Sequence, residues 1–518
     1  MESRTQRAKA VATDITRYPF GWLPLTLILL LGAGLYLYQL NQESLWIDEL
    51  LSINSAKGLD SWQDCWQNIR VVYFLLLRGW MRLGKGDAWL RSLGVLFTLG
   101  SVYLTFRLGH RLLNRASGLI AALLVAIAPL FIHHAQEVRM YAASTCFGLL
   151  GTLVLTYALE QPKMSLIFGW AIARFVAIIT TPLNFFLVLP DLVIFSWKFR
   201  HQRHQWLRFA WGLALIAILW LPWIFSLVIK SAKFMGGVKA VGAAVASGQR
   251  TSPGFSKVLL QPVRFTAWSF GRANSNFIYW FYNIYALILA YLLGVSLLQS
   301  RKIGKLGWVA AWAILPSVPM FAISHISRSL WVDRYLIFTA PYLCLLIAAG
   351  WLYVWRRWRL GAFVIASVYA VAVSGGIKRY YTVDDRADWR GMVNAITSQE
   401  QSGDAIVWST GQNLTLALDH YYQGLVPIKE VQIPFPCAAK SNREDMEGWL
   451  RNAPTNYSRL WLICSLGSHN LSTFKATIAS MFQIKEHQVF PGEQFGKSKE
   501  LHLFLLQPSV TKQITTNN

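Results

Sequence analysis

Charged residues are scarce in this chain, since Asp, Glu, Lys and Arg make up 14% of its 518 residues while hydrophobic residues make up 54%. Acidic residues are scarcer than basic ones, with 25 Asp and Glu against 49 Lys and Arg. This composition excludes an ordinary soluble domain and predicts a polytopic membrane protein. The basic residues gather in short segments between apolar runs. That placement is typical of topology signals and argues against a nucleic-acid partner.

Cysteine clusters and nucleotide-binding motifs are also missing. The five Cys are scattered without metal spacing, although a Cys437–Cys464 disulfide is possible. No Gly-rich dinucleotide fingerprint is present. His133 and His134 are adjacent, and neighbours on a helix point about 100° apart, so we interpret them as structural or pore-lining. We find no cluster of His, Cys and carboxylate residues with metal-ligand spacing, so no metal site and no cofactor are assigned, and a divalent metal is left open.

Long uncharged runs predict about eleven transmembrane helices. The first follows a basic N-terminus, residues 1–19, and is expected to stay as a signal anchor. The region 164–197 is interpreted as two spans broken near Thr180-Thr181-Pro182, in which Arg174 and Asp191 would need partners. The predicted spans are 20–40, 92–106, 116–132, 141–159, two within 164–197, 209–229, 277–298, 306–323, 335–355 and 360–377.

The Lys and Arg residues predict which side of the membrane each connection faces. Alternate connections are basic, so we place them and residues 1–19 in the cytoplasm. Within the membrane module 20–377, the loop 41–90 is then external and predicts interfacial helices. The external loop 230–276 contains Lys and Arg but no Asp or Glu. It is interpreted either as a mobile loop that orders over a phosphate-bearing ligand or as a disordered loop touching anionic lipid.

The end of the chain, residues 378–518, is more polar and predicts a small extracytoplasmic α/β domain. A helical pattern at 388–401 precedes three apolar runs that are typical of buried strands. The predicted strands are 404–409, 459–464 and 501–506.

Several polar residues fall on the same predicted external side. Asp48 and Glu49 lie just past the end of the first span and are the first candidates for a catalytic base. The other two groups are Glu137-Val138-Arg139 and Asp333-Arg334-Tyr335. A shared site is the economical interpretation. The alternative is that the arginines reach toward lipid headgroups or neutralise adjacent acids.

Three strings in this order carry a family resemblance: WIDELLSI, AQEVRMYA and DRYLIFTAPYLCLLIAAG. They resemble the GT-C membrane glycosyltransferases of the protein-O-mannosyltransferase and aminoarabinose-transferase type. The resemblance implies an inner-membrane enzyme that moves a sugar from a polyprenyl-phosphate donor to a glycan, lipid or protein acceptor, typically with inversion. It implies catalytic roles for Asp48 and Glu49. The implied substrate-binding residues are Glu137, Arg139, Asp333, Arg334 and Tyr335, with Arg334 at the lipid phosphate.

The residue chemistry suits this implied reaction. A carboxylate such as Asp48 can take the acceptor proton, and Arg334 and Arg139 can stabilise a leaving phosphate. The chain departs from the family in its first loop, because relatives often carry His-Pro-Pro where this sequence has Ile69-Arg70-Val71. That difference puts a His-dependent role in doubt.

A second function class stays open from the sequence. Arg174 and Asp191 could be gating charges of a transporter or flippase for an anionic lipid or lipid-linked saccharide, with the basic loop as its entrance. Paired inverted broken helices would favour that interpretation, and we detect no such internal symmetry.

Overall fold

A computed structural model of the protein is mostly helical. It describes residues 21–235, 253–267, 276–301, 304–326, 329–383, 386–408, 413–424, 458–466, 471–479, 482–492 and 500–508. The Gly-rich part of the basic loop, 236–248, and Cys437 lie outside the described residues. Cys464 is disulfide-bonded.

The helices of the first half are α1 Leu23–Leu37, α2 Ile47–Lys57, α3 Trp62–Gln67, α4 Val71–Met81, α5 Asp87–Leu112, α6 Arg115–Ile127, α7 Pro129–Ala135, α8 Tyr141–Glu160, α9 Met164–Thr180, α10 Val188–Lys198 and α11 Arg203–Met235. Those of the second half are α12 Phe255–Leu259, α13 Gln261–Ala267, α14 Asn276–Ser300, α15 Gly304–Ile314, α16 Ser317–Ile326, α17 Asp333–Leu336, α18 Ala340–Arg357, α19 Arg359–Thr382, α20 Trp389–Gln399, α21 Asn413–Tyr421 and α22 Leu471–Ala479.

The helical membrane architecture predicted from composition is confirmed. Among the described residues, seven helical segments are long and apolar enough to cross a membrane, or eight if the bent pair α6 and α7 is one span. The helices α1, α4 and α9 are apolar but shorter. Each predicted span overlaps a described helix, while the count of eleven crossings stays a prediction.

Proline residues produce two helix breaks in this part of the chain. Ala128 precedes Pro129 and is extended, with φ −69° and ψ 124°, because the proline ring disfavours helical backbone at the preceding residue. The helices α6 and α7 therefore meet at a 62° bend. Thr181 before Pro182 is likewise extended and ends α9, which confirms the predicted break.

Arg174 and Asp191, the charged residues beside that break, are partners. The Arg174 Nε atom lies 2.6 Å from Asp191 Oδ2, and both side chains are fully buried. Arg174 also donates to the Gly148 carbonyl and the Thr152 hydroxyl, and Trp312 donates to Asp191. The prediction that these two charges need partners is confirmed.

The chain divides into two compact units. The first, here called the membrane unit, contains Met1–Tyr38 and Gly58–Tyr381, and the second, the mixed unit, contains Gln39–Lys57 and Thr382–Asn518. The first predicted external loop is therefore shared between the units. Its Asp48-containing helix α2 groups with the C-terminal part of the chain.

The mixed unit contains a four-stranded sheet among its described residues, with strands β1 Asp404–Trp408, β2 Arg459–Leu466, β3 Phe482–Pro491 and β4 Glu500–Pro508. The strand order is β1-β2-β4-β3, in which β1 and β2 are parallel and the other pairs are antiparallel. Asp404 is opposite Arg459, and their side chains form a 2.7 Å ion pair that supports this register. Three strands and α20 were predicted, and β3 was not.

Candidate functional site

The Glu137 turn of the membrane unit follows the bent helix pair. The short helix α7 ends at Ala135, and Gln136 then donates from its amide to the Tyr36 and Tyr38 carbonyls, at 2.9 and 2.7 Å. The Tyr380 hydroxyl donates to the side-chain oxygen Oε1 of Gln136 at 2.7 Å. These bonds fix the turn against the ends of α1 and α19.

A close approach of α5 also holds this turn. A Cβ atom at Gly94 would lie 2.6 Å from the Ala135 carbonyl oxygen and 3.0 Å from that of Glu137. These separations are shorter than van der Waals contact, so only glycine lets the two backbones meet here without a shift. Gly94 therefore helps to set the position of Glu137.

Glu137 lies between two imidazoles. Its Oε1 atom is 2.8 Å from His133 Nε2, and its Oε2 atom is 2.7 Å from His134 Nδ1. Glu137 is only 1% exposed. Although burial opposes ionisation, the two histidines hold the pKa of Glu137 well below its usual range. Glu137 is therefore a buried carboxylate with two defined partners.

His133, His134 and Glu137 also have the geometry of metal ligands, because one ligand atom from each lies within 4.8 Å of the others. Two imidazoles and a carboxylate form a donor set that Zn²⁺ accepts. The expectation that no such cluster exists is wrong for the described residues. That expectation considered only the angle between the two adjacent histidines and left out Glu137, which follows them at the three- and four-residue spacing at which helical side chains meet. This spacing of the acid after the two histidines was the sequence signal that could have indicated the cluster.

Arg139 and Arg334 each lie near a tyrosine ring, and the two tyrosine rings are close to each other. The Arg139 guanidinium carbon is 5.7 Å from the centre of the Tyr141 ring, and that of Arg334 is 5.5 Å from the Tyr335 ring. The two ring centres are 6.4 Å apart. Tyr141 lies within electrostatic reach of both arginines. The second and third predicted groups therefore meet within the membrane unit.

Asp333 has partners other than the adjacent arginine. Its Oδ2 atom is 3.0 Å from Arg264 Nη2, and its Oδ1 atom accepts from Gln261 Nε2 at 3.0 Å. Both partners lie on α13, in the described part of the basic loop. The interpretation that Asp333 simply neutralises its neighbour Arg334 is therefore not what the contacts show.

The first predicted group, Asp48 and Glu49, lies in the mixed unit at the start of α2. Glu49 is fully buried, and its Oε2 atom accepts from the Trp46 backbone N–H at 3.1 Å and from Arg386 Nη1 at 3.2 Å. The Arg386 Nε atom lies 3.1 Å from Glu43 Oε2. Asp48 is half-buried. No local sequence signal identifies Arg386, which lies 337 positions after Glu49.

Comparison with solved structures places this architecture among known folds. The crystal structure of ArnT from Cupriavidus metallidurans bound to undecaprenyl phosphate is similar with a TM-score of 0.58 and 12% identity, over 94% of this chain and 98% of that one. The archaeal oligosaccharyltransferase AglB from Archaeoglobus fulgidus, in complex with an inhibitory peptide and a dolichol-phosphate, is similar with a TM-score of 0.54 and 10% identity, over 86% of this chain and 70% of that one.

No protein-family model and no curated protein matches the sequence. At this level of identity the structural likeness concerns the fold. It agrees with the resemblance carried by the three sequence motifs. The chain therefore has the fold of the GT-C membrane glycosyltransferases.

Proposed function

We propose that this protein is a glycosyltransferase that moves a sugar from a polyprenyl-phosphate donor to an acceptor at the extracytoplasmic face of the inner membrane. The acceptor classes consistent with the fold are glycans, lipids and proteins. The proposal is supported by the likeness to ArnT bound to undecaprenyl phosphate, which extends over 94% of this chain.

The observation that carries the proposal is the cluster of Arg139, Arg334, Tyr141 and Tyr335 in the membrane unit. Guanidinium groups bind phosphate oxygens through paired, charge-assisted hydrogen bonds. Tyrosine adds a hydroxyl group and an apolar ring beside the same oxygens. Two arginines held beside two tyrosines are suited to a phosphate that is attached to an apolar chain.

The proposed reaction is a single displacement at the anomeric carbon. An acceptor hydroxyl or amine forms the new bond to this carbon, and its proton passes to the Asp48 carboxylate acting as general base. The bond from the anomeric carbon to the phosphate oxygen breaks, and its electron pair leaves with the polyprenyl phosphate. Arg334 and Arg139 stabilise the negative charge that develops there. One displacement inverts the sugar configuration.

Between the two adjacent acids, Asp48 is the better candidate for the base. Glu49 is fully buried and binds Arg386, so its carboxylate has a structural task. Asp48 is half-buried, which leaves part of the residue accessible. The cluster of His133, His134 and Glu137 offers ligands for a divalent cation, and no step of this reaction is assigned to such an ion.

The transporter alternative has less support in the membrane unit. Arg174 and Asp191 were its proposed gating charges, yet each is fully buried and bound to several fixed groups. An ion pair whose two partners are also hydrogen-bonded to other fixed groups is typical of a structural role. Assay of purified protein in liposomes separates the two functions, because a flippase moves the donor lipid between leaflets without changing its covalent structure.

The proposed orientation places the C-terminal end of the chain and Cys65 outside the cytoplasmic membrane. Cys65 is a half-exposed free thiol in α3. A membrane-impermeant maleimide should therefore label intact cells that carry the protein, and Cys65→Ser should remove this label. Labelling that requires permeabilised cells would contradict the orientation.

Product analysis tests the proposed activity. Glycolipids, glycans and glycoproteins from cells with and without this chain are compared by mass spectrometry. We expect one product class to lose a single sugar residue and the matching undecaprenyl-phosphate sugar to accumulate when the chain is absent. Identical products and donor levels in the two strains would contradict the proposal.

A further inference from the structure

We propose that Arg386 is a positioning residue for the reaction, because it fixes the helix that carries Asp48. This inference rests on the proposed function and deepens it. It assigns a task to the polar C-terminal part of the chain, for which the sequence suggested none. The contacts from which we argue lie within the mixed unit.

Arg386 binds two acids that flank the start of α2. Its Nε atom is 3.1 Å from Glu43 Oε2, and its Nη1 atom is 3.2 Å from Glu49 Oε2. Arg386 is 8% exposed and Glu49 is 0% exposed. The guanidinium therefore joins the segment before α2 to its first turn, and it supplies a cation to a carboxylate that is removed from water.

Glu49 transmits this restraint to the backbone. The oxygen that binds Arg386 also accepts a hydrogen bond from the Trp46 backbone N–H, at 3.1 Å. A carboxylate in the first helical turn that accepts from a preceding N–H stabilises the helix start. The Arg386 contact therefore determines where α2 begins and how it is oriented.

Other contacts tie the same segment to the C-terminal chain. The Ser44 hydroxyl donates to Asp388 Oδ1 at 3.2 Å and accepts from the Arg390 backbone N–H at 3.1 Å. The Leu45 backbone N–H donates to the Tyr421 hydroxyl at 2.7 Å. Residues 44–49 are thus held by α20, by α21 and by the residues just before α20.

The orientation of Asp48 follows from these contacts. Successive residues on a helix point about 100° apart. Because Glu49 is directed into the interior by Arg386, the adjacent Asp48 is directed elsewhere on the helix surface, and it is half-buried. A rotation of α2 would expose the Glu49 carboxylate and move Asp48 at the same time. The buried ion pair therefore couples the C-terminal chain to the position of the proposed base.

The test compares Arg386→Gln with a control ion pair in the same unit. Arg459 binds Asp404 at 2.7 Å on the sheet, so Arg459→Gln removes a comparable contact from strands β1 and β2. The first readout is hydrogen–deuterium exchange of the full chain in detergent, which requires no substrate. The second is the turnover number and the KM for the undecaprenyl-phosphate sugar that accumulates in cells without the chain.

Arg386→Gln should speed backbone exchange in residues 43–53 and leave strands β1 to β4 unchanged. Its turnover number should fall about 100-fold, as expected when a catalytic group is misplaced by about 1 Å, with the donor KM changed less than about threefold. Arg386→Lys keeps the charge and should recover part of the loss. Each single variant, Arg386→Gln or Glu49→Gln, leaves one buried charge without its partner. The double variant Glu49→Gln/Arg386→Gln removes both charges, so its turnover number should be higher than that of either single variant.

Wild-type turnover in Arg386→Gln would overturn the inference. An equal loss in Arg459→Gln would also overturn it, because the effect would then reflect the stability of the whole unit. The variant Asp48→Asn separates this inference from the proposed function. If Asp48→Asn is inactive while Arg386→Gln is fully active, the positioning role fails and the proposed base stands. If Asp48→Asn is active, the assignment of the base fails instead.

Discussion

Arg174 and Asp191 form a completely buried ion pair between α9 and α10, on either side of the break at Thr181. Removing one partner of such a pair leaves an uncompensated charge in the interior. We expect Asp191→Asn to lower the free energy of unfolding by about 3–5 kcal/mol. Thermal unfolding of the purified protein in detergent measures this loss.

The control for this prediction is a more exposed pair in the same unit. Arg111 lies 2.7 Å from Glu160, and the Glu160 side chain is 43% exposed. Glu160→Gln should cost only about 0–1 kcal/mol, because water compensates the lost contact. Equal unfolding temperatures for Asp191→Asn and wild type would show that the buried pair is not a stabilising element.

Local features of the structure could be predicted from the sequence. Apolar length located the helices, and the Thr-Thr-Pro sequence located the break between α9 and α10, because the effect of proline acts on the residue before it. The strands β1, β2 and β4 are apolar runs. Strand β3 was missed because it carries Lys485 and Glu486 and has a register shift between Ile484 and Glu486. Such an irregularity disrupts the two-residue alternation by which half-buried strands are recognised.

Long-range relationships could not be predicted. The Arg386 contact with Glu49 joins residues 337 positions apart, and no periodicity reports such a pair. The cluster at Glu137 is different, because Glu137 follows His134 by three positions and His133 by four, a spacing at which helical side chains meet and which the sequence does show. Arg139 and Arg334 were predicted to share a site and do lie beside neighbouring tyrosines, whereas the contact between Arg264 and Asp333 was not predicted.

Gly94 supplies a second prediction, because its backbone lies against the turn that carries Glu137. A methyl group there would meet the Ala135 carbonyl oxygen at 2.6 Å, so the turn must shift. We expect Gly94→Ala to insert normally and to lower sugar transfer about 100-fold through displacement of the turn. Gly34→Ala is the matched control, since no atom lies within 4 Å of its added methyl group. Full activity in Gly94→Ala would argue against a role for this turn.

His487 and His502 predict how the sheet of the mixed unit responds to acid. His487 Nε2 is 3.0 Å from His502 Nδ1. Burial, with Lys475 and His502 nearby, lowers the pKa of His487 to about 4. The unfolded imidazole has a pKa of about 6.5, so the unfolded state binds more protons between these two values. Stability should therefore rise with pH from about 4 to about 6.5 and be lost on acidification through this window.

Hydrogen exchange of β3 and β4 at pH 4.5 and 7.5 measures this effect, after correction for the intrinsic pH dependence of exchange. We expect wild-type protein to lose protection at the lower pH, and His487→Gln to lose less of it. His201→Gln, at an exposed histidine of the membrane unit, should behave like wild type. An identical acid response in His487→Gln and wild type would contradict the prediction.

Arg334 supplies a binding prediction that needs no acceptor. A hydrogen bond to a charged group contributes about 1.5–3 kcal/mol, which corresponds to about 10–100-fold in affinity. We expect Arg334→Gln to weaken the binding of undecaprenyl phosphate by this factor and Arg334→Lys to weaken it less. Arg107→Gln is the control, because Arg107 binds Tyr103 and Tyr157, and Tyr157 lies about four helical turns from Tyr141 along α8. Unchanged affinity in Arg334→Gln would remove Arg334 from that site.

The substitution Asp48→Asn tests the central claim most directly. The measurement is the rate of sugar transfer by purified protein, together with its affinity for undecaprenyl phosphate, and Asp60→Asn, at an exposed acid of the same predicted loop, is the control. Loss of a general base should lower the rate by about 10²–10⁴-fold. The account predicts this loss in Asp48→Asn with lipid affinity unchanged and Asp60→Asn fully active. Transfer by Asp48→Asn at the wild-type rate would contradict it.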